Sequence, residues 1–210
     1  TRYIEYINLW EFSGNQIKNN SERIYAYDLI NEPTPNYGGY VHFLELQRLA
    51  IEKIRSINPN IPIIVSSTKN NYHDMIPFNY SNIIYKLNYY NPYEYTHQGL
   101  NNYTNELDYP CNINNIVWNK NKIKEDLNGY ISFLEKYNAI GFIGGFSVVR
   151  WAKNNDKYLS DLIDIFEEYK WDWTYHAFRE NQEWNIELSN DKNNENFDNN
   201  TDRKQLLLKW

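Results

Sequence analysis

The sequence predicts an α/β fold built on a parallel sheet, because strand-like and helix-like segments alternate along the chain. Residues 61–67 (IPIIVSS) form a nearly continuous apolar run, which is typical of a parallel strand covered on both faces. Between residues 40 and 58, apolar residues recur at spacings of three and four, as on one face of a helix that Asn58-Pro59 then ends. Together these patterns favour repeated strand–helix units.

Five strands are predicted, with helices between most of them. The strands are expected at residues 24–30, 61–67, 83–89, 140–146 and 171–178. The helical segments are a stretch at residues 3–10, the helix at 40–58, one helix through Ile123, Leu127, Ile131 and Leu134, and one carrying Leu159, Leu162 and Phe166. The Asn- and Asp-rich run at 190–200 is expected to be a mobile surface loop. A closed barrel of this class has eight strands and about 250 residues, so the sheet is either open or lacks its front strands.

Composition excludes several classes of partner. With 210 residues, 41% hydrophobic and 17% aromatic, the chain can bury one substantial core. A net charge of -6 opposes binding to nucleic acid or anionic lipid, and no apolar run is long enough to cross a bilayer. Cys111 has no partner for an internal disulfide. No metal site is expected, because the histidines lack paired spacing: His42, His73, His97 and His176.

Polar and ionisable residues gather where the predicted strands end, at the edge that carries the active site in β/α folds. They are Asn31, Glu32, Asn88, Tyr90, His97, Arg150, His176 and Arg179. A carboxylate in such a partly desolvated place can act as an acid or a base, which makes Glu32 a candidate catalytic residue. A structural hydrogen bond or an exposed loop position is the alternative for Glu32.

Four of these strand ends carry motifs that resemble those of glycoside hydrolase family five, the endoglucanase-type cellulases. The motifs, which also match in order and spacing, are YDLINEP (27–33), YYNPYEYTHQG (89–99), IGGFSVVRWA (143–152) and YKWDWTYHAFRE (169–180). The resemblance implies a (β/α)8 TIM barrel that is incomplete here, with about strands four to eight present and the first three absent. Residues 1–210 would then be a single partial catalytic domain.

The resemblance also implies a mechanism without any cofactor, a retaining double displacement on a β-glycosidic bond of β-1,4-glucan or a related polysaccharide. Glu32 falls on the family's acid/base position, Asn31 on the Asn that binds the sugar beside the cleaved bond, and Tyr90 on the Tyr that hydrogen-bonds the nucleophile. Retention requires two carboxyl groups about 5–5.5 Å apart across the anomeric carbon. By the same resemblance the protein is expected to be secreted or periplasmic.

The sequence departs from the family at the nucleophile. Where the family has G-E-F-S, this chain has Gly-Gly-Phe-Ser at 144–147, so the nucleophile position is Gly145. Asn88 replaces a family His, and Asn181 stands where a Trp usually lines the substrate cleft. Trp184 either stacks on sugar nearby or belongs to the core. The missing side chain is expected to leave a space that admits a small anion.

Loss of a nucleophile removes several powers of ten in rate, so the chain is expected to be inactive or strongly impaired. Glu180 and Glu183 could replace it only with accurate placement, and Ser147 lacks obvious His and Asp partners for a serine hydrolase. The alternatives to an impaired hydrolase are a pseudoenzyme that binds β-linked polysaccharide and a decayed gene fragment. The polysaccharide itself, whether cellulose, mannan or xyloglucan, is left open.

Overall fold

A computed structural model describes residues 2–34, 39–67 and 72–210 of the chain. Within these residues helices and strands alternate as the sequence predicts. The helices are α1 (Arg2–Ile17), α2 (Gly39–Ile57), α3 (Tyr93–Thr96), α4 (Lys120–Asp126), α5 (Asn128–Tyr137), α6 (Asn155–Glu168) and α7 (Asp202–Leu207). The strands are β1 (Tyr27–Asp28), β2 (Ile63–Ser66), β3 (Ile83–Tyr89), β4 (Cys111–Ile113), β5 (Ile116–Trp118), β6 (Ile140–Phe146) and β7 (Asp172–Tyr175).

Five strands form one sheet in the order β1-β2-β3-β6-β7, so each enters the sheet in the order of the chain. β1 pairs with β2 and β2 with β3 in parallel, with Ile63 opposite Tyr27 on one side and Ile83 on the other. Every residue of β2 and β3 is buried, as expected for parallel strands covered on both faces. β4 and β5 form a separate antiparallel pair.

The first of two compact units comprises Thr1–Leu87 and Tyr130–Phe142. Its helices α1 and α2 approach closely at Gly14, where an added β-carbon would lie 3.2 Å from Ile57 Cδ1. A buried cluster joins strands of this unit, and burial of each large apolar side chain contributes about 1.5–3 kcal/mol. The cluster consists of Ile64, Ile84 and Phe142, with Ala26 packed against it.

The second unit comprises Asn88–Gly129 and Ile143–Trp210. Asn114 and Asn115 form the turn of its β4–β5 hairpin with φ of 51° and 65°, a left-handed backbone that Asn tolerates well. Its core is rich in rings that meet edge to face. These include Tyr95, Tyr109 and Tyr158, together with Phe146 and Phe166.

The structure corrects three of the predicted elements. The last strand covers Asp172–Tyr175 rather than residues 171–178. The first strand covers only Tyr27–Asp28 rather than residues 24–30, although the Leu29 amide still donates to the Ile64 carbonyl at 3.1 Å. The prediction of a single helix through residues 123–134 is wrong, because α4 ends before Leu127 and α5 begins after it. Asn and Gly at 128–129 are weak helix formers, which favours a break there. β3 and β6 begin and end where the sequence predicts.

Candidate active site

The segment after β1 carries Asn31 and Glu32, whose side chains are both exposed. From β3, the Lys86 ammonium donates to Asn31 Oδ1 at 3.3 Å and to the Ile30 carbonyl at 3.0 Å, and it pairs with Asp28 Oδ2 at 2.5 Å. Glu32 has a φ of 44°, a left-handed backbone that residues other than Gly adopt uncommonly and that is often retained at functional sites. The residue proposed as acid/base therefore follows a tightly bonded segment.

That segment is held from three elements of the first unit. The side chain of Lys86 is only 3% exposed, whereas Asp28 is 40% exposed. Ser66 at the end of β2 donates through its hydroxyl to the Ile30 carbonyl at 2.8 Å. On α2, Gln47 both donates to the Ser66 carbonyl at 3.1 Å and accepts from the Ser66 amide at 2.9 Å. The sequence analysis did not single out Lys86, although a lysine inside a strand buried on both faces is an unusual signal.

In the second unit, Tyr90 directly follows β3 and its main chain is clamped. The Tyr89 hydroxyl and the Asn91 amide group both donate to Asp126 Oδ2 on α4, at 3.0 and 2.9 Å. The Thr96 hydroxyl donates to the Tyr90 carbonyl at 2.6 Å. These bonds hold the residues on either side of Tyr90 and so restrict the place of its ring.

Gly145 is the next-to-last residue of β6. A β-carbon added to Gly145 would lie 3.0 Å from the Tyr90 hydroxyl oxygen and 3.7 Å from Cγ and Oδ1 of the buried Asn88. The structure thus brings together three residues that the sequence places in the site. The space beside Gly145 is narrower than the sequence suggested, because the Tyr90 hydroxyl lies at its edge.

An aromatic cluster surrounds Tyr90. The rings of His97 and Trp184 lie 5.8 and 6.3 Å from the Tyr90 ring, and they meet each other edge to face at 4.9 Å. Tyr93 stacks on His97 at 4.6 Å and lies 6.3 Å from Tyr103. Trp184 is only 8% exposed, so most of its surface packs against protein and a small part of it remains open to solvent.

Both the amide and the carbonyl group of Trp184 form hydrogen bonds with side chains. Asn181 Oδ1 accepts from the Trp184 amide at 3.3 Å, and the Tyr175 hydroxyl donates to the Trp184 carbonyl at 3.0 Å. Ser147 is fully buried and donates through its hydroxyl to the Tyr175 oxygen at 3.2 Å. Asn181, which the resemblance placed at the substrate cleft, therefore has a bond to the backbone in this structure.

Arg150 is an anchor for the loop that follows β7. Its side chain is buried, and its guanidinium donates only to main-chain oxygens among the bonds described. These belong to Gln182 (3.0 Å), Ser189 (2.7 Å), Lys192 (2.8 Å) and Asp191. Its position after a strand end suggested a place in the active site, whereas these contacts give it a structural role.

A buried carboxylate, Glu187, ties the same loop to α7. It pairs with Arg179 at 2.6 Å and with Lys204 at 2.7 Å, while its own side chain is 4% exposed. The hydrogen bond from Arg179, followed by that from Lys204, lowers the pKa of the Glu187 carboxyl. Arg179 therefore supports the loop rather than standing alone at the strand end.

The residues considered for other chemistry have structural partners. Glu180 lies 3.3 Å from His176 Nδ1, and the main-chain oxygen of Glu183 accepts from the Arg150 amide at 2.9 Å. Within residues 2–34, 39–67 and 72–210, no cluster of three or more His, Cys, Asp or Glu side chains is arranged to hold a metal ion. In the same part of the chain, no helix combines the length and apolar character needed to span a bilayer.

Comparison with known proteins identifies the family. The sequence profile described as Cellulase (glycosyl hydrolase family 5) matches residues 3–182, which is most of the chain. The chain belongs to glycosyl hydrolase family 5. The predicted family is thereby confirmed. This family 5 chain has Gly145 near the end of β6, at the position where the family motif predicts Glu.

Relatives of this family 5 chain include two endoglucanases. Endoglucanase C of Acetivibrio thermocellus is 25% identical, and the alignment covers 78% of this chain and 56% of that protein. Endoglucanase C307 of Clostridium sp. strain F1 is 24% identical with the same coverage. The chain therefore spans little more than half the length of these relatives.

Solved structures confirm the predicted fold, an incomplete (β/α)8 barrel. The cellulose synthase subunit Z of Clostridioides difficile has a TM-score of 0.79 at 19% identity, with 98% of this chain and 68% of that chain covered. Cel5A of Thermotoga maritima, solved in complex with cellobiose, has a TM-score of 0.73 at 23% identity, with 88% and 61% covered. At these identities the likeness concerns the fold of the family 5 chain.

Proposed function

We propose that this chain is the major part of a retaining glycoside hydrolase of the cellulase type, directed at β-1,4-linked glucan or a related β-linked polysaccharide, whose first chemical step is disabled. The observation that carries the proposal is Gly145, which lies beside Tyr90 and Asn88 near the end of a strand in a family 5 chain. The endoglucanase relatives support the substrate class. We also propose that the protein is secreted or periplasmic, where such polymers are found.

The proposed roles follow from the strand-end positions. Glu32 is the acid/base that would protonate the leaving oxygen, and Asn31 binds the sugar beside the cleaved bond. Tyr90 would hydrogen-bond a nucleophile at position 145 if that residue had a carboxylate. Glycine has no atom that can attack the anomeric carbon, so no glycosyl-enzyme forms at Gly145.

The two candidate substitutes for the nucleophile, Glu180 and Glu183, have contacts that do not favour this role. The Glu180 carboxylate lies 3.3 Å from His176 Nδ1, and the main-chain oxygen of Glu183 accepts a hydrogen bond from the Arg150 amide. A nucleophile must reach the anomeric carbon within a fraction of an ångström, which neither arrangement favours. Hydrolysis should therefore be very slow.

A second candidate function is carbohydrate binding without cleavage. It is favoured by the retained cluster of Tyr90, His97 and Trp184, since aromatic rings stack on the apolar faces of sugars. The two candidates share a ligand and differ in whether any turnover occurs. A decayed fragment would show neither activity nor binding.

The test compares the full-length protein with its Gly145→Glu variant on an aryl β-cellobioside. The unchanged protein should give a rate near the uncatalysed background, while Gly145→Glu should raise it by several powers of ten, because loss of the nucleophile costs about 10⁶-fold in a serine protease. Adding Glu32→Gln to Gly145→Glu should remove most of the gain. Azide should rescue the unchanged protein weakly and yield an α-glycosyl azide. Fast turnover without azide would contradict the proposal.

Binding is measured separately on the same protein. Titration of cellotetraose into the unchanged Gly145 protein by calorimetry should give a measurable dissociation constant if the cleft is retained. Gly145→Glu with Glu32→Gln serves as the matched control for the restored side chain. If the unchanged protein does not bind cellotetraose and Gly145→Glu does not restore activity, both proposed functions fail and the decayed fragment is the remaining alternative.

A further inference from the structure

Lys86 is a buried ammonium group in the middle of an apolar strand. Lysine is rarely fully buried, and burial of its charge is costly unless the group is paired and hydrogen-bonded. Here each of the three ammonium protons has an acceptor within reach: Asp28 Oδ2 at 2.5 Å, the Ile30 carbonyl at 3.0 Å and Asn31 Oδ1 at 3.3 Å. All three acceptors belong to the segment that leads to Glu32.

The chemistry of the ammonium group fixes which way the Asn31 amide faces. A lysine ammonium can only donate, so the atom of Asn31 that faces Lys86 must be the acceptor Oδ1. The reverse orientation would set two donors against each other at 3.3 Å. The Nδ2 group of Asn31 consequently lies on the other side of the amide, and the Asn31 side chain is exposed.

The backbone next to Asn31 is fixed by the same contacts. The Ile30 carbonyl accepts from Lys86 and also from the Ser66 hydroxyl at 2.8 Å, and Gln47 holds Ser66 in turn through two bonds. Asp28 supplies the opposite charge, so the ammonium is not an isolated buried ion. A movement of Lys86 would therefore remove the hydrogen bond to Asn31 Oδ1 and one of the two bonds to the Ile30 carbonyl.

We propose that Lys86 is a positioning residue that turns the Asn31 amide so that its nitrogen donates a hydrogen bond to a sugar hydroxyl. The proposal rests on the proposed function for the identity of the ligand. It assigns the direction of the bond, with Asn31 as donor and the sugar oxygen as acceptor. Lys86 itself acts only through Asn31.

The first experiment needs no ligand. In the full-length protein labelled with ¹⁵N, the side-chain amide signals of Asn31 are assigned by their loss in Asn31→Ala. Lys86→Met should shift these signals, because the bond to Oδ1 is gone. Lys53→Met is the matched control in the same unit, since Lys53 pairs with Glu11 on the helical layer at 3.3 Å. Unchanged Asn31 signals in a folded Lys86→Met protein would overturn the proposal.

The second experiment measures cellotetraose affinity in a double-mutant cycle. Lys86→Met should weaken binding about tenfold, the size expected for a hydrogen bond involving a charged group. If Lys86 acts through Asn31, the double variant Lys86→Met/Asn31→Ala should bind no more weakly than Asn31→Ala alone. Losses that add would mean that Lys86 supports the protein in some other way and would overturn the proposed role.

Lys86→Gln guards against a variant that fails to fold, because its amide can still donate to Asn31 Oδ1. It should keep affinity between those of the unchanged protein and Lys86→Met. The role of Lys86 would be contradicted if Lys86→Gln bound as weakly as Lys86→Met while its Asn31 amide signals stayed where they are in the unchanged protein. If the unchanged protein binds no cellotetraose, the proposed function fails, and the amide signals still decide whether Lys86 orients Asn31.

Discussion

The hydroxyl oxygen of Tyr90 lies 3.0 Å from the position that a β-carbon on Gly145 would occupy. Ordinary contacts of a β-carbon with another heavy atom are longer than this by several tenths of an ångström. Asp126 accepts hydrogen bonds from the two neighbours of Tyr90, and Thr96 donates to the Tyr90 carbonyl. These bonds restrict the shift of Tyr90 that a larger residue at position 145 would require. In this structure Gly145 and Tyr90 fit each other, and replacement of either affects the other.

Gly145→Ala should destabilise the protein, because its methyl group crowds the Tyr90 hydroxyl. The expected loss in the free energy of unfolding is about 1 kcal/mol, as for modest overpacking. In a Tyr90→Phe background the same substitution should cost less, since the crowding oxygen is absent. Urea unfolding of the four proteins gives the coupling energy directly.

The control for that cycle is Gly144→Ala, at the neighbouring position of the same strand, tested in both backgrounds. Its cost should not depend on the Tyr90 hydroxyl. Equal costs of Gly145→Ala with and without that hydroxyl would contradict the close contact between the two residues.

Arg150→Met should destabilise the loop that contains Trp184. Removal of the guanidinium leaves four main-chain oxygens without their donor. Water can reach part of these oxygens, since Gln182, Asp191 and Lys192 are exposed, so the expected loss in the free energy of unfolding is about 1–3 kcal/mol. Calorimetric or urea unfolding measures the loss. Tryptophan emission should also shift to longer wavelength as Trp184 becomes more exposed.

Arg48→Met provides the comparison, because Arg48 pairs with Glu45 and Glu52 on the exposed surface of α2. Such surface pairs contribute about 0–1 kcal/mol, so this variant should stay close to the unchanged protein. A similar loss for both arginine variants would argue against the anchoring role of Arg150.

Glu187 should make stability depend on pH in the acid range. Its pKa in the folded protein is lowered from the ordinary value of 4.5 by hydrogen bonds from Arg179 and Lys204. The stabilisation is therefore fully present above the unfolded-state pKa of 4.5 and is lost as the pH falls through the lowered pKa of the folded state. Glu187→Gln should flatten this part of the profile of melting temperature against pH.

The corresponding control is Glu135→Gln on the exposed face of α5, which should leave the acid part of the profile as it was. If Glu187→Gln and the unchanged protein lose stability in parallel between about pH 5 and 2, the two cations do not hold the Glu187 carboxylate as the structure indicates.

The strands that lie inside the sheet were the most predictable elements. Residues 83–89 and 140–146 have the predicted bounds, because both segments are short, largely apolar and rich in Ile and aromatic residues, which favours strand over helix. The strand at 24–30 shortened to Tyr27–Asp28, and the helix through 123–134 divided at Leu127. Those limits depend on pairing with β2 and on local turn geometry, which hydrophobic spacing does not encode. The short hairpin β4–β5 and α7 were missed because three to six residues carry too little periodicity.

The sequence by itself determined the family, the order of the strands, the place of Asn31 and Glu32 after a strand, and the absence of a side chain at Gly145. These follow from local motifs and from residue identity. Only the tertiary structure decided that Lys86, 55 positions after Asn31, donates to its amide oxygen, and that the Tyr90 hydroxyl lies beside Gly145. Arg150 likewise changed from a site candidate to a loop anchor. Each of these contacts joins residues far apart in the chain, and the partner of a buried polar group is set by packing rather than by the neighbouring sequence.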